Sequence, residues 1–380
     1  MFKAIIEASV RFRWFIVLAT TLVAAWGLFQ LTKLPIDAVP DITNRQVQIN
    51  TVAPALAPEQ MERQVTYPLE TAMAGIPGIQ STRSLTRNGF SQVTVIFTDA
   101  TDIYFARQQV AERMAQAREN LPEGVEPGLA PITTGLGEVL MWTVDFKPFD
   151  AKAARAGKPG WQPDGAYLTP EGDRLASPQA QATYLRTVQD WIIAPRMRTA
   201  RGLAGVDVNG GYVKEYAVRP DPARLAGYGL GLGDLMQALE RANTQAGAGY
   251  VQRAGEALTV RTDALAQTVE DLAQAPVANR NGLVVRVADV ATVEMGQAPR
   301  LGGASRDGHE AVIGTALMLA GENSRTVAQA AAERLEEIGA SLPPDIVAEP
   351  VLNRSALVNS TIKTVAKNLT EGAQIGRAHV

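Results

Sequence analysis

Two carboxylates stand where they could do chemistry. Glu138 follows the tight turn of "GLG" at the entrance to the apolar run "VLMWTV", and Asp190 lies in the helical stretch "LRTVQDWII". A helix packed on that strand would bring both toward one cleft, and converging carboxylates suit a hard or borderline divalent cation. The same pattern also fits a solvated Asp190, because it falls among the polar positions of its helix. Other chemistry is scarce. The chain has no cysteine and only two histidines, His309 and His379, which removes thiolate metal sites, disulfides, thiol nucleophiles and most imidazole-based schemes. "GYGLGLGDL" (227–235) lacks the third glycine of a dinucleotide fingerprint, with Leu232 or Asp234 in its place. No nucleophile elbow, Walker loop, HExxH helix or EF-hand loop is present. Met61, Met73, Met114 and Met197 recur at helical core spacing and read as packing rather than as a ladder for a soft metal. No resident cofactor is expected.

The elements that must hold these groups belong to a long, balanced chain. Its 380 residues are 46% hydrophobic, with 36 basic against 39 acidic side chains. That composition excludes a disordered chain, and the slight negative charge, without a basic stripe, gives no reason to expect a nucleic-acid partner. One stretch, "WFIVLATTLVAAWGLFQLT" (14–32), carries no charge. As a helix it rises about 28 Å at roughly 1.5 Å per residue, close to the hydrocarbon thickness of a bilayer. It is longer than a signal-peptide core and "FQLTKLPID" offers no small-x-small cleavage site, so it reads as an uncleaved span. Lys3, Arg11 and Arg13 precede it against Glu7 alone, which keeps the N-terminus in the cytoplasm and sends the bulk of the chain to the other side.

Beyond the span, Pro35 and Pro40 break any helix. The strand "RQVQINTV", a helix with Met61, Val65, Leu69 and Met73 on one face, a hairpin about Asn88-Gly89, a helix over 103–120 and a further strand follow in turn. The order β-α-β-β-α-β is the ferredoxin-like split βαβ arrangement. "AERMAQARENLPEGV" (111–125) aligns without gaps on "AERLEEIGASLPPDI" (332–346), and Ala106, Val110, Met114, Ala117 and Leu121 match Val327, Ala331, Leu335, Ile338 and Leu342. A second related α/β unit is therefore expected from "GEVLMWTVDF" onward. Residues 147–180, rich in proline and glycine, read as a surface excursion. A helix over 184–200 follows, then a hairpin-like pair about Gly210-Gly211. The stretch from about Gly205 to Asp289 reads as a domain inserted in the second unit, with "LVVRVADVATV" as the returning strand. The fold class is α+β.

The span, "LPIDAVPDITNRQVQINT", "YPLETAMAGIPGIQSTRSLTRNGFSQVTVIFTDATDIYFARQQVAERM" and "LPEGVEPGLAPITTGLGEV" together resemble the start of heavy-metal efflux pumps of the resistance-nodulation-division superfamily. "TRSLTRNGFSQVTVIF" and "GLGEVLMWTV" look more like the cobalt-zinc-cadmium type than the copper-silver type. The resemblance implies a proton-driven cation antiporter of the bacterial inner membrane. It would be a homotrimer working with a periplasmic adaptor and an outer-membrane channel, in contact with membrane lipid.

On that resemblance, residues 1–13 are cytoplasmic and 14–32 form the first transmembrane helix. Residues 33–135 form the first porter subdomain, 136–204 with 291–350 the second, and 205–290 the docking domain, whose loop "NTQAGAGYVQRAG" reaches toward a neighbouring protomer. Residues 351–380 resemble the helix leading to a second span, where "QIGRAHV" stands in place of the expected apolar run, so the chain is expected to be an N-terminal fragment. The carboxylates that hold the metal in zinc-exporting relatives carry over to Glu138 and Asp190, with a divalent metal such as zinc as transported substrate. Two other readings stay open. One is a singly anchored periplasmic interaction module; the other is part of a copper/silver or drug-exporting pump.

Overall fold

The computed structural model describes residues 9–33, 43–253, 256–263, 265–280, 282–300 and 302–378. The extreme N-terminus, the Pro35–Pro40 break and His379 lie outside them, as does part of the expected inter-protomer loop at 254–255.

The uncharged run forms α1, Arg13–Lys33. Thr20 and Thr21 turn their hydroxyls back onto the carbonyls of Ile16 and Val17, each at 2.8 Å, so neither presents a free donor outward. Trp14, Phe15, Leu22, Val23 and Trp26 stand exposed around the helix. Among the described residues no helix is long and apolar enough to cross a membrane; the side chains described in α1 end at Gln30.

The first α/β unit is built from β1 (Gln46–Val52), the irregular helix α2 (58–73), β2 (Ile79–Arg87), β3 (Phe90–Phe97), α3 (Ile103–Arg118) and β4 (Pro127–Leu129). Its antiparallel sheet has the order β2-β3-β1-β4, the ferredoxin-like arrangement that the element order predicts. Alternation along β1 buries Val47, Ile49 and Thr51 against the helices. Met61, Val65, Leu69 and Met73 of α2 are wholly buried, so these methionines are core residues. The Asn88-Gly89 hairpin closes with Arg87 opposite Phe90. Gly89 sits at φ +65, and a Cβ there would lie 2.8 Å from Pro54 Cα. That close approach is why the turn needs glycine.

The second unit repeats the plan with β5 (Glu138–Phe146), three short strands β6–β8 (Gly160–Trp161, Tyr167–Leu168, Arg174–Leu175), the irregular helix α4 (178–197), and β9 (Leu203–Gly210). An inserted segment follows. It holds β10 (Lys214–Pro220), α5 (Pro222–Gly227), α6 (Leu232–Ala242), β11 (Gln245–Arg253), β12 (Glu256–Asp263), α7 (Val269–Gln274), β13 (Pro276–Arg280), β14 (Leu283–Arg286), α8 (Val287–Val290) and β15 (Ala291–Gln297). The chain then makes the small hairpin β16 (Ser305–Arg306) and β17 (His309–Glu310), and returns through β18 (Val312–Met318), α9 (Ser324–Gly339) and β19 (Ile346–Asn353) to α10 (Arg354–Ala378). The second sheet runs β19-β5-β18-β9, the same strand order as the first.

The repeat extends to details that the core pattern did not include. Asp102 caps α3 by accepting from the amides of Tyr104 and Phe105, and Asn323 caps α9 by accepting from Arg325 and Thr326 at the equivalent position. After each helix the chain turns through a left-handed residue, Gly124 at φ +79 and Asp345 at φ +61.

Two readings of the sequence are corrected. The stretch about Gly210-Gly211 is not a hairpin: β9 pairs with β18 in the second sheet, and β10 pairs with β15 in the insertion. Both strands alternate in the way a hairpin would, and only their partners distinguish the cases. For the same reason "LVVRVADVATV" does not return to the second sheet but forms β14, α8 and β15 within the insertion; the returning strand is β18. Strand β9 thus carries the second unit's sheet past the expected break at 204/205.

The excursion is packed, not loose. Trp161, Tyr167 and Phe146 cluster with ring centroids 4.6–5.8 Å apart. The Tyr167 hydroxyl donates to the Pro344 carbonyl at 2.6 Å, and the Trp161 amide donates to Asp345 Oδ2 at 3.1 Å. Burial pushes the Tyr167 phenol well above its ordinary value, so it stays a donor. Asp345, unlike glycine at this left-handed position, carries the acceptor that fastens the excursion. Asp345→Ala keeps the backbone strain and removes that acceptor, and is expected to lower unfolding stability by about 1–2 kcal/mol, read by thermal melting beside Asp345→Asn, which loses less.

Candidate metal-handling residues of the second unit

The site is built on one packing contact. Trp142 of β5 is fully buried, its ring lying over Gly314 of β18, where a Cβ would come within 2.2 Å of the indole. Its Nε1–H donates to Gln189 Oε1 at 2.9 Å. Gln189 is itself fully buried, and its Nε2 has no partner among the described atoms. This contact pins α4, the helix that carries Asp190, to the middle of the sheet.

That helix is irregular for a reason legible in its residues. It runs as Pro178–Val188, a π-turn over Gln189–Ile193, and Ala194–Met197. In the first unit α2 does the same, with Pro58–Met61, a π-turn over Glu62–Thr66 and Tyr67–Met73. Each π-turn ends two residues before a proline, Pro68 or Pro195. A proline has no amide to donate, and its ring would strike the carbonyl four residues back; opening the ladder by one residue relieves the clash. The Tyr67 and Ala194 amides accordingly reach back five residues, to Glu62 and Gln189. The wider turn splays its side chains. Gln189 points inward, Trp191 is 80% exposed and Asp190 lies between.

Asp190 does not stand free. Arg186 donates from Nε to Asp190 Oδ2 at 2.8 Å and from Nη1 to the Gly210 carbonyl at 2.8 Å. Glu138 opens β5 opposite Leu317 and is exposed, with no ion pair among the described residues. Along β18, Leu317 and Val312, the residue opposite Gly210, are five positions apart, or about 16 Å at roughly 3.3 Å per residue. A zinc ion reaches only about 2 Å to each ligand. Glu138 lies toward one end of β18 and the Arg186 bond to Gly210 toward the other, and among the described residues no three His, Asp or Glu side chains converge as a metal group.

Sequence reasoning passed over Arg186, Gln189 and the proline-driven π-turn. The first had a signal, the i, i+4 spacing of Arg186 and Asp190 in "RTVQD". Gln189 had none, because its importance comes from Trp142 on another element.

On the other face of the sheet, partial burial pushes the Asp207 carboxyl above its ordinary value, and Arg198 draws it part of the way back. Asp207 remains on the solvent side by exposed area, so its effect on stability is small. A folded pKa above the unfolded one means that protonation favours the folded state, so the penalty is absent at acid pH and grows as pH rises through the carboxylate range. Asp207→Asn is therefore expected to raise the melting temperature slightly at pH 7, with the gain vanishing near pH 3 in a pH series of melts.

Two split βαβ units of like strand order, the second interrupted by an insertion and the first preceded by an apolar helix, make up an α+β architecture. Residues 5–375 match the AcrB/AcrD/AcrF family, and the chain belongs to it. It is 54% identical, over 99% of its length, to the nickel-cobalt-cadmium resistance protein NccA of Alcaligenes xylosoxydans xylosoxydans. It is 52% identical over 98% to the nickel and cobalt resistance protein CnrA of Cupriavidus metallidurans, and 44% identical over 98% to the cobalt-zinc-cadmium resistance protein CzcA of that organism. The chain spans 33–35% of these relatives. An X-ray structure of a heavy metal efflux pump matches 96% of the chain with a TM-score of 0.77 at 29% identity, the match covering 34% of that protein.

Proposed function

We propose that this chain is the N-terminal part of a proton-driven efflux pump for divalent heavy-metal cations of the nickel, cobalt, zinc and cadmium group. The observation that carries this reading is the 44–54% identity, across nearly the whole chain, to proteins named for resistance to those metals. Identity to the cation efflux system protein CusA of Escherichia coli K12 is lower, at 35%.

In this reading α1 crosses the bacterial inner membrane with its N-terminus in the cytoplasm. Support comes from the uncharged run, the outward apolar side chains and the inward-turned hydroxyls. The two α/β units are porter subdomains on the periplasmic side and the insertion is a docking domain, in a homotrimer joined by a periplasmic adaptor and an outer-membrane channel. Proton movement elsewhere in the pump drives the porter clefts through alternating access.

Glu138 and Asp190 contact the cation as substrate, each with further ligands. Their places toward opposite ends of β18 support two successive contacts rather than one shared site. In the full protein, Glu138→Ala and Asp190→Ala are each expected to weaken zinc or nickel affinity by about tenfold, near 1.4 kcal/mol. The double variant is expected to show additive free energies, as for residues that share no partner. Unchanged affinity in both single variants would overturn the assignment, and strong non-additivity would overturn the separation.

A further inference from the structure

Arg186 lies where the helix carrying Asp190 meets the neck of the insertion. The side chains of Arg186 and Asp190 are 19% and 28% exposed, so water screens this pair less than an open surface pair such as Arg118–Glu126. The guanidinium is held from a second side. Its Nη1 donates to the Gly210 carbonyl, and a Cβ on the adjacent Gly211, at φ +63, would lie 2.9 Å from Arg186 Cβ. The neck is cross-linked in its own right. The Gly211 amide donates to Glu310 Oε1 at 3.1 Å, Arg300 Nη2 donates to the same oxygen at 2.7 Å, and the Arg300 guanidinium sits 4.5 Å from the Tyr212 ring centroid. Arg186 is thus anchored to a braced strand end and does not depend on Asp190 for its position.

We propose that Arg186 is a built-in competitor for the cation at Asp190, a positioning residue that sets which cations the site admits. The proposal rests on the reading of Asp190 as a substrate contact. An ion that takes Asp190 displaces a charge-assisted hydrogen bond, and it does so beside a fixed positive charge that stays on Gly210. Both effects lower affinity. A borderline ion such as nickel or zinc recovers the loss through strong, short bonds to its ligands, whereas magnesium holds its waters tightly and binds such a site weakly. Arg186 therefore filters out abundant hard cations and leaves the site weak enough to release its cargo.

The test is zinc and magnesium titration of the detergent-solubilised full protein by calorimetry. Arg186→Gln is expected to tighten zinc by about tenfold or more, the worth of one charge-assisted hydrogen bond, and to make magnesium a measurable competitor. Arg186→Lys keeps the charge but cannot hold Asp190 and Gly210 with one fork, and tightens zinc by about threefold; it carries the test if the glutamine variant does not fold. A merely structural arginine would give weaker binding, not tighter. If Asp190→Asn weakens zinc while neither arginine variant tightens it, the competitor role is overturned and the substrate contact stands. If Asp190→Asn has no effect, the contact and the competitor fall together.

Discussion

The indole of Trp142 across Gly314 is the contact on which the second unit turns. It needs a position without a side chain on β18, and it needs a hydrogen-bond acceptor from the covering helix, which Gln189 supplies. A side chain at 314 would strike the indole, and loss of the glutamine acceptor would leave an unpaired donor, in a core that otherwise consists of Val, Leu, Ile, Ala and Met with Tyr167. Because Gln189 belongs to the π-turn, the same contact sets the rotation of α4 and so the direction of Asp190 and Trp191.

The π-turns occur at matching places in both units, each enforced by the proline that follows, yet they are filled differently. In the first unit Thr66 joins Ser91 and Thr86 in a buried hydroxyl cluster, with oxygens 2.7 and 2.8 Å apart. In the second unit Ile193 and Met197 are buried and the polar contact passes to Gln189. The left-handed turn after the last helix shows the same divergence. Gly124 leaves it bare, whereas Asp345 accepts from the excursion. One scaffold thus supports a plain unit and one that carries both an excursion and an insertion.

The ion pairs follow this division. Those on open surfaces, such as Arg118–Glu126 and Arg174–Asp164, are well solvated and contribute little to stability. The pairs with restricted exposure, Arg186–Asp190 and Arg300–Glu310, gather where the insertion leaves and rejoins the second sheet. Two chain crossings lie side by side there, and hydrogen bonds to the Gly210 carbonyl and the Gly211 amide hold them together.

By itself the sequence determined the local elements and the repeat. Periodicities of 2 and 3.6, the Asn88-Gly89 turn and the aligned helices at 111–125 and 332–346 depend on neighbours along the chain, and the strand order of both sheets follows from the βαββαβ succession. Residue patterns also carried the likeness to metal pumps. Tertiary structure alone decided which strands pair at Gly210-Gly211, because alternation names a strand's inward face but not its partner. It also set Glu138 opposite Leu317 and brought Arg186, the partner of Asp190, to the strand end opposite Val312, for such placement depends on register, and register is set by pairings distant along the chain. Finally, it showed Asp190 already bonded to an arginine held in place by a carbonyl of another strand, a contact that no spacing along one helix contains.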